Sequence, residues 1–130
     1  MKSNWTTIQL CYRVGMTDFV VPRPFPEPLA ELVATRFRVL GDPTRIRLLD
    51  HLRDGAATVQ ELQEAVGASQ QNVSKHLGVL LNAGVVSRTK DGNFARYAIA
   101  DPGVYDLCEQ VCGGLRRQVD SLDELLPASS

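Results

Sequence analysis

From Pro28 onward, hydrophobic positions recur mostly every three or four residues, the period of a helix. Leu29, Leu32, Val33, Phe37, Val39 and Leu40 predict a first helix from about Pro28 to Leu40, with proline suited to its opening position. Those residues fall on more than one face, so this helix is expected to be buried on several sides, in the core and against another subunit. In GDPTRIRLLDHLRDG, Asp42 caps a second helix and Pro43 opens it. Ile46, Leu49 and Leu52 form its inner row and Gly55 stops it. In TVQELQEAVG, Thr58 and Glu61 have capping-box spacing, Val59, Leu62, Ala65 and Val66 face inward, and Gly67 ends the helix. Ser69 caps a fourth helix that ends by Gly84, with Val73, Leu77, Leu80 and Leu81 as its apolar stripe. A last helix is expected from about Pro102 to Leu122, capped by Asp101, with PASS frayed after it.

Alternation, the period of a strand, occurs in two places. TIQLCYRV, residues 7 to 14, suggests a strand, and VPRPFPEP after it is an extended connector that cannot be helical. VVSRTKDGNFARYAI places Asp-Gly between two strand-like runs, a strong hairpin signal. Two helices joined by GAS and followed directly by a hairpin make a winged helix-turn-helix. The predicted fold is therefore mainly α with a small β-hairpin: about five helices and a two-stranded wing. Residues 1–28 are an N-terminal extension or arm, 29–122 the folded domain and 123–130 a tail.

At 130 residues and 14.3 kDa, the chain suits one domain with one core. No apolar run approaches the ~20 residues that span a bilayer, and MKSNWTTIQLCYRVG lacks the continuous apolar stretch of a signal peptide. A cytoplasmic location is expected, and with three cysteines a disulfide framework is not. The net charge of −1 conceals a polarity along the chain. Between residues 69 and 100, Lys75, Arg88, Lys90 and Arg96 stand against Asp91 alone, whereas six acids oppose Arg116 and Arg117 from residue 101 onward. A local cationic surface attracts phosphate even on a mildly acidic chain. There is no phosphate-binding glycine loop, no Gly-x-Ser-x-Gly and no cluster of histidines with carboxylates, so an enzyme is not expected.

Opposite the apolar stripe of the fourth helix lie Gln71, Ser74, Lys75 and Gly78. On the second helix of a helix-turn-helix this chemistry reads duplex DNA: glutamine pairs with adenine, lysine reaches guanine or phosphate, and serine adapts to either. Ser69, Gln70, Gln71, Asn72, Ser74, Lys75 and His76 are the candidate contacts from this helix, and Arg88, Lys90 and Arg96 those from the wing. Gly78 costs about 1 kcal/mol relative to alanine, which makes sense if its backbone packs close to another surface. The competing readings are a merely solvated helix face and a winged helix that binds protein. The acidic C-terminal third favours the protein binder and the basic wing opposes it.

LGDPTRIRLLDHL, TVQELQEAVGASQQNVSKHLGVLLNAGVVSR and KDGNFARYAI together resemble the ArsR/SmtB family of bacterial repressors over about Arg38 to Ala100. The resemblance implies a homodimer held by its first and last helices. It also implies a palindromic double-stranded operator, a recognition helix over Gln70 to Asn82, a wing over Arg88 to Arg96, and release when an effector binds. No cofactor is implied for DNA binding itself.

Two effector sites of that family are missing by residue type. The stretch ELQEAVG has no cysteine where a Cys-x-Cys pair would stand. Asp101 fits the first place of an Asp/His/His/Glu set, but Gly103 and Gly114 stand where the histidines would be. What remains is Cys108 and Cys112, one helical turn apart, with Cys11 as a candidate third ligand. Thiolates in that pattern suit a soft ion: As(III) or Sb(III) in a trigonal site, or Cd(II), Pb(II) or Cu(I). Thiol-redox or persulfide sensing is an alternative, for which Arg116 is the nearby cation. In the third reading the cysteines are structural: Val104, Cys108, Val111 and Leu115 form an apolar stripe, and Gly113 and Gly114 admit a close partner helix.

Overall fold

The computed structural model describes residues 20–126. The strand suggested at residues 7 to 14, Cys11 within it, and the last four residues lie outside that range. By compactness the chain divides at Ala100 into a unit up to that residue and a unit from Asp101 onward.

The first unit opens with the proline-rich connector, which is exposed and without regular structure up to Pro26. Helix α1 follows at Glu27–Leu40 with Pro28 in its first turn, and Pro26 donates no side-chain cap. Within this one chain α1 has no fully buried residue: Leu29, Val33, Val39 and Leu40 are half-buried, and Leu32 and Phe37 are 68% and 54% exposed. Leu32 and Phe37 are left uncovered by the described residues.

Helix α2, Pro43–Leu52, starts where Asp42 accepts hydrogen bonds from the Thr44 and Arg45 backbone N–H groups. Its buried residues are Leu48, Leu49 and Leu52. Ile46, expected inside, is 44% exposed. At about 100° per residue, the position one turn before Leu48 and Leu49 belongs to Arg45, which is part-buried and fully hydrogen-bonded there.

The two-residue strand β1, Ala57–Thr58, leads into α3, Val59–Val66. The capping box forms as expected, with Glu61 N–H donating to Thr58 Oγ1 at 3.2 Å and Thr58 N–H to Glu61 Oε1 at 2.9 Å. Leu62 and Val66 are buried, while Ala65 is exposed at the margin of that face. Gly67 to Ser69 turn the chain into α4, Gln70–Asn82, capped by Ser69 Oγ accepting from Asn72 N–H at 3.1 Å. Val73, Leu77 and Leu80 are buried. Helix α4 closes in a Schellman pattern: Val85 N–H reaches Leu80 O and Gly84 N–H reaches Leu81 O, both at 3.0 Å. Gly84 has the positive φ, 77°, that this ending requires.

Strands β2, Val86–Asp91, and β3, Phe94–Ile99, form the wing. Asp91 pairs with Phe94, so the hairpin loop is Gly92–Asn93, one residue later than the Asp-Gly reading, with Gly92 at φ 65°. The sheet has three strands, not two, in the antiparallel order β1-β3-β2. A two-residue strand carries no alternation, which is why it escaped the sequence reading. Leu48, Leu62, Val73, Leu77, Leu80 and Val85 are the largest fully buried side chains, and burying each contributes about 1.5–3 kcal/mol. Three arginines bind carbonyls at the ends of other helices: Arg36 to Ala83 O, Arg45 to Val39 O and Arg47 to Val66 O.

The second unit is one helix, α5, Gly103–Leu125. It begins one residue later than expected and runs three residues past Leu122. Pro102 holds the capping position, while Asp101 Oδ1 still accepts from Gly103 N–H at 3.1 Å. Val104 is buried, and Val111, Leu115, Val119 and Leu122 form a row between 47% and 56% exposed. Among the described residues no helix is long and apolar enough to cross a membrane.

Candidate nucleic-acid interface

The polar face of α4 is built by its apolar one. Burial of Val73, Leu77 and Leu80 fixes the rotation of the helix, so Gln70, Gln71, Asn72, Ser74 and Lys75 are exposed. Ser69 is exposed too, with its hydroxyl oxygen engaged as the helix cap. Among the described residues, no heavy atom lies within 4 Å of where a Cβ on Gly78 would stand, so none of them exploits the missing side chain.

His76 departs from the expected face. Its side chain is 12% exposed and turned inward, with Nδ1 2.9 Å from an Arg45 guanidinium nitrogen and Nε2 3.9 Å from Asp42 Oδ1. Its predecessor Lys75 points out, and one step of about 100° carries the next side chain toward α2. The Arg45 backbone N–H holds the Asp42 carboxyl below its ordinary pKa of 3.8, with partial burial opposing it and the Thr44 N–H assisting.

The three wing cations separate. Arg88 and Lys90 are exposed and alternate with Thr89, so they share one face of β2. Arg96 pairs across from Thr89 and therefore lies on the opposite face. There it donates to Asp91 Oδ2 at 2.9 Å and stands 3.7 Å from Glu61 Oε1. Two carboxylates thus offset its charge and tie the wing to the start of α3. Glu61 is held below its ordinary pKa of 4.5, first by the Thr58 N–H and, after the opposing effect of burial, by Arg96. The sequence reading missed these tethers, although the Asp91–Arg96 spacing across a two-residue turn was available to suggest one.

On α5, Cys108 is half-buried and Cys112 exposed. Arg116, one turn further on, is 3.6 Å from Asp120, which lowers its pull on a thiolate. Gly113 and Gly114 would meet only the Arg117 side chain if they carried a Cβ, at 3.5 and 3.8 Å. Among the described residues no three of His, Cys, Asp and Glu are grouped to hold a metal. Two soft thiolates fit a thiophilic ion in kind and fall short of a trigonal site in number.

Comparisons with known proteins bear on the fold and the family. Residues 40–89 match the model of a helix-turn-helix domain. A protein of Streptomyces lividans described as a probable mercury resistance operon repressor is 42% identical over 87 residues, 67% of this chain and 66%, just under two thirds, of that one. The uncharacterized HTH-type transcriptional regulator Rv0081 of Mycobacterium tuberculosis is 44% identical over 82 residues, 62% of this chain and 72% of its own. Its crystal structure superposes with a TM-score of 0.67 at 39% identity, covering 74% of this chain and 97% of that one. The crystal structure of the AntR antimony-specific transcriptional repressor gives 0.65 at 30% identity, covering 82% and 94%.

The helix-turn-helix fold shared with these regulators makes the chain a transcriptional regulator and not an enzyme. The chain belongs to the ArsR/SmtB family of such regulators.

Proposed function

We propose that the chain is a homodimeric repressor that leaves its operator when a thiophilic metal or metalloid ion binds. The observation that carries this reading is the exposed face of α4, where Gln71, Ser74 and Lys75 stand opposite a fully buried stripe. In this reading Gln70, Gln71, Asn72, Ser74 and Lys75 enter the major groove, Ser69 holds the start of the helix against the backbone, and Arg88 and Lys90 reach flanking phosphates or the minor groove. Arg96 serves the wing's position, not a phosphate. The exposed Leu32 and Phe37 of α1 and the apolar row of α5 supply the dimer contact, since monomers rarely expose such surface. Two copies then present two recognition helices to a two-fold symmetric site.

The effector reading rests on Cys108 and Cys112 and on relatives described as a mercury resistance repressor and an antimony-specific repressor. As(III) or Sb(III) takes three thiolates, so the third comes from Cys11 or from the partner subunit. The redox alternative needs a cation to stabilise a thiolate, and the pairing of Arg116 with Asp120 leaves that requirement less well met here.

The test is a DNA-binding titration of the reduced protein against a duplex that it enriches from a random pool, across salt, with and without As(III), Sb(III), Hg(II) and Zn(II). Binding that weakens steeply with salt and is abolished by a thiophilic ion, but not by Zn(II), is expected. Cys108→Ser and Cys112→Ser should bind DNA normally and ignore the ion. Serine variants that still dissociate on its addition would refute the thiol site, and release by peroxide alone would favour redox sensing.

A further inference from the structure

Arg45 sits where an inward apolar residue would be expected, and all three nitrogens of its guanidinium are occupied. Nε donates to Val39 O at 2.6 Å, one terminal nitrogen lies 3.3 Å from Arg38 O, and the other is 2.9 Å from His76 Nδ1. The first two acceptors are the carboxyl end of α1, and the third is on the recognition helix. A guanidinium only donates, so a hydrogen bond to His76 requires a bare Nδ1 and places the ring proton on Nε2. Nε2 in turn faces Asp42 Oδ1 at 3.9 Å, the oxygen that already caps α2.

We infer that His76 is a positioning residue for operator recognition: its bare Nδ1, accepting from Arg45, joins the recognition helix to the carboxyl end of α1. This rests on the operator-binding reading above. The geometry explains why a polar residue of α4 turns away from the DNA-facing side. It also links α1 to α4 through Arg45 of α2, alongside the hydrogen bond from Arg36 to Ala83 O.

A side chain without an acceptor at this place would leave one Arg45 N–H unpaired. Asp42, engaged as the cap of α2, does not replace that acceptor, so Arg45 would keep its α1 carbonyls and the joint to α4 would open. Losing the acceptor should therefore lower sequence-specific affinity more than general attraction to phosphate.

The test uses the full chain and a fluorescent duplex that the wild-type protein enriches from a random-sequence pool, with a scrambled duplex as reference. His76→Asn keeps an acceptor in place of Nδ1. His76→Phe removes it. The ratio of specific to scrambled affinity should match the wild type in His76→Asn and fall about tenfold in His76→Phe, whose thermal midpoint shows that it folds. Nitrogen-15 spectra of the wild-type ring should show the Nε2–H tautomer, whatever the DNA. An Nδ1–H tautomer, or a Phe variant that discriminates like the wild type, overturns the inference. If the wild-type chain enriches no duplex, the operator reading itself fails and this inference falls with it.

Discussion

Gly78 lies mid-helix on the same exposed face as Gln71, Ser74 and Lys75, with no atom of the described residues near its missing Cβ. Alanine there fits the fold without strain and favours the helix, so Gly78→Ala should raise stability by about 1 kcal/mol, read as a higher thermal midpoint. If the groove of a duplex closes on this face, the added methyl should at the same time weaken specific DNA binding. A variant that is more stable and binds equally well would show that no surface approaches so closely. Asp42 gives a second single-residue prediction. Its folded pKa is depressed, so its stabilising effect is fully present above the ordinary 3.8 and is lost as pH falls through the lower folded value, where the unfolded chain holds more protons. Asp42→Asn keeps a good helix cap and removes the titration. Urea midpoints of the variant should therefore decline less steeply than those of the wild type as acid is added in that range.

The wing and the helix behind it act as elements, and their charges divide by strand face. Replacing Arg88 and Lys90 with glutamine should weaken binding to every duplex alike and reduce the dependence of log affinity on log salt by about two units, one for each phosphate no longer neutralised. Arg96→Gln should leave that slope nearly unchanged, because two carboxylates already offset this cation. Its effect should appear as looser pairing at the wing tip, seen as faster amide exchange in β2 and β3. This division marks where sequence reasoning runs out. Caps, stripes and the hairpin were legible because each depends on residues within a turn or two of one another. The Thr58–Glu61 box and the Ser69 cap formed as read. The inward turn of His76 and the Glu61 partner of Arg96 were not legible because they come from elsewhere in the chain: His76 is 31 residues from Arg45, and Glu61 lies on α3. Ile46 lost its inner place to Arg45, since a hydrophobic pattern cannot foresee a part-buried guanidinium with three acceptors. β1 has two residues and no period to read.

At the scale of the whole molecule, the apolar row Val111, Leu115, Val119 and Leu122 is left uncovered by the described residues. Leu115→Glu puts a charge in that row. It should yield a monomer in sedimentation and lose specific DNA binding, while the circular dichroism of the folded winged helix persists, because α2, α3, α4 and the wing hold their own core. In the proposed function, dimerisation is also what would tie the cysteines to the DNA. If Cys108 and Cys112 bind an ion on a dimer-forming helix, bound ion and bound operator report on each other through one coupling free energy. A hundredfold loss of operator affinity on ion binding corresponds to about 2.7 kcal/mol, and thermodynamic reciprocity requires the operator to weaken ion binding by the same factor. Competition with a chromophoric dithiol should therefore give As(III) about a hundredfold weaker affinity for the protein–operator complex than for free protein. Leu115→Glu should hold As(III) with an affinity that DNA does not change. Equal affinities in the wild-type complex and the free protein would separate the thiols from repression, whatever ion they bind.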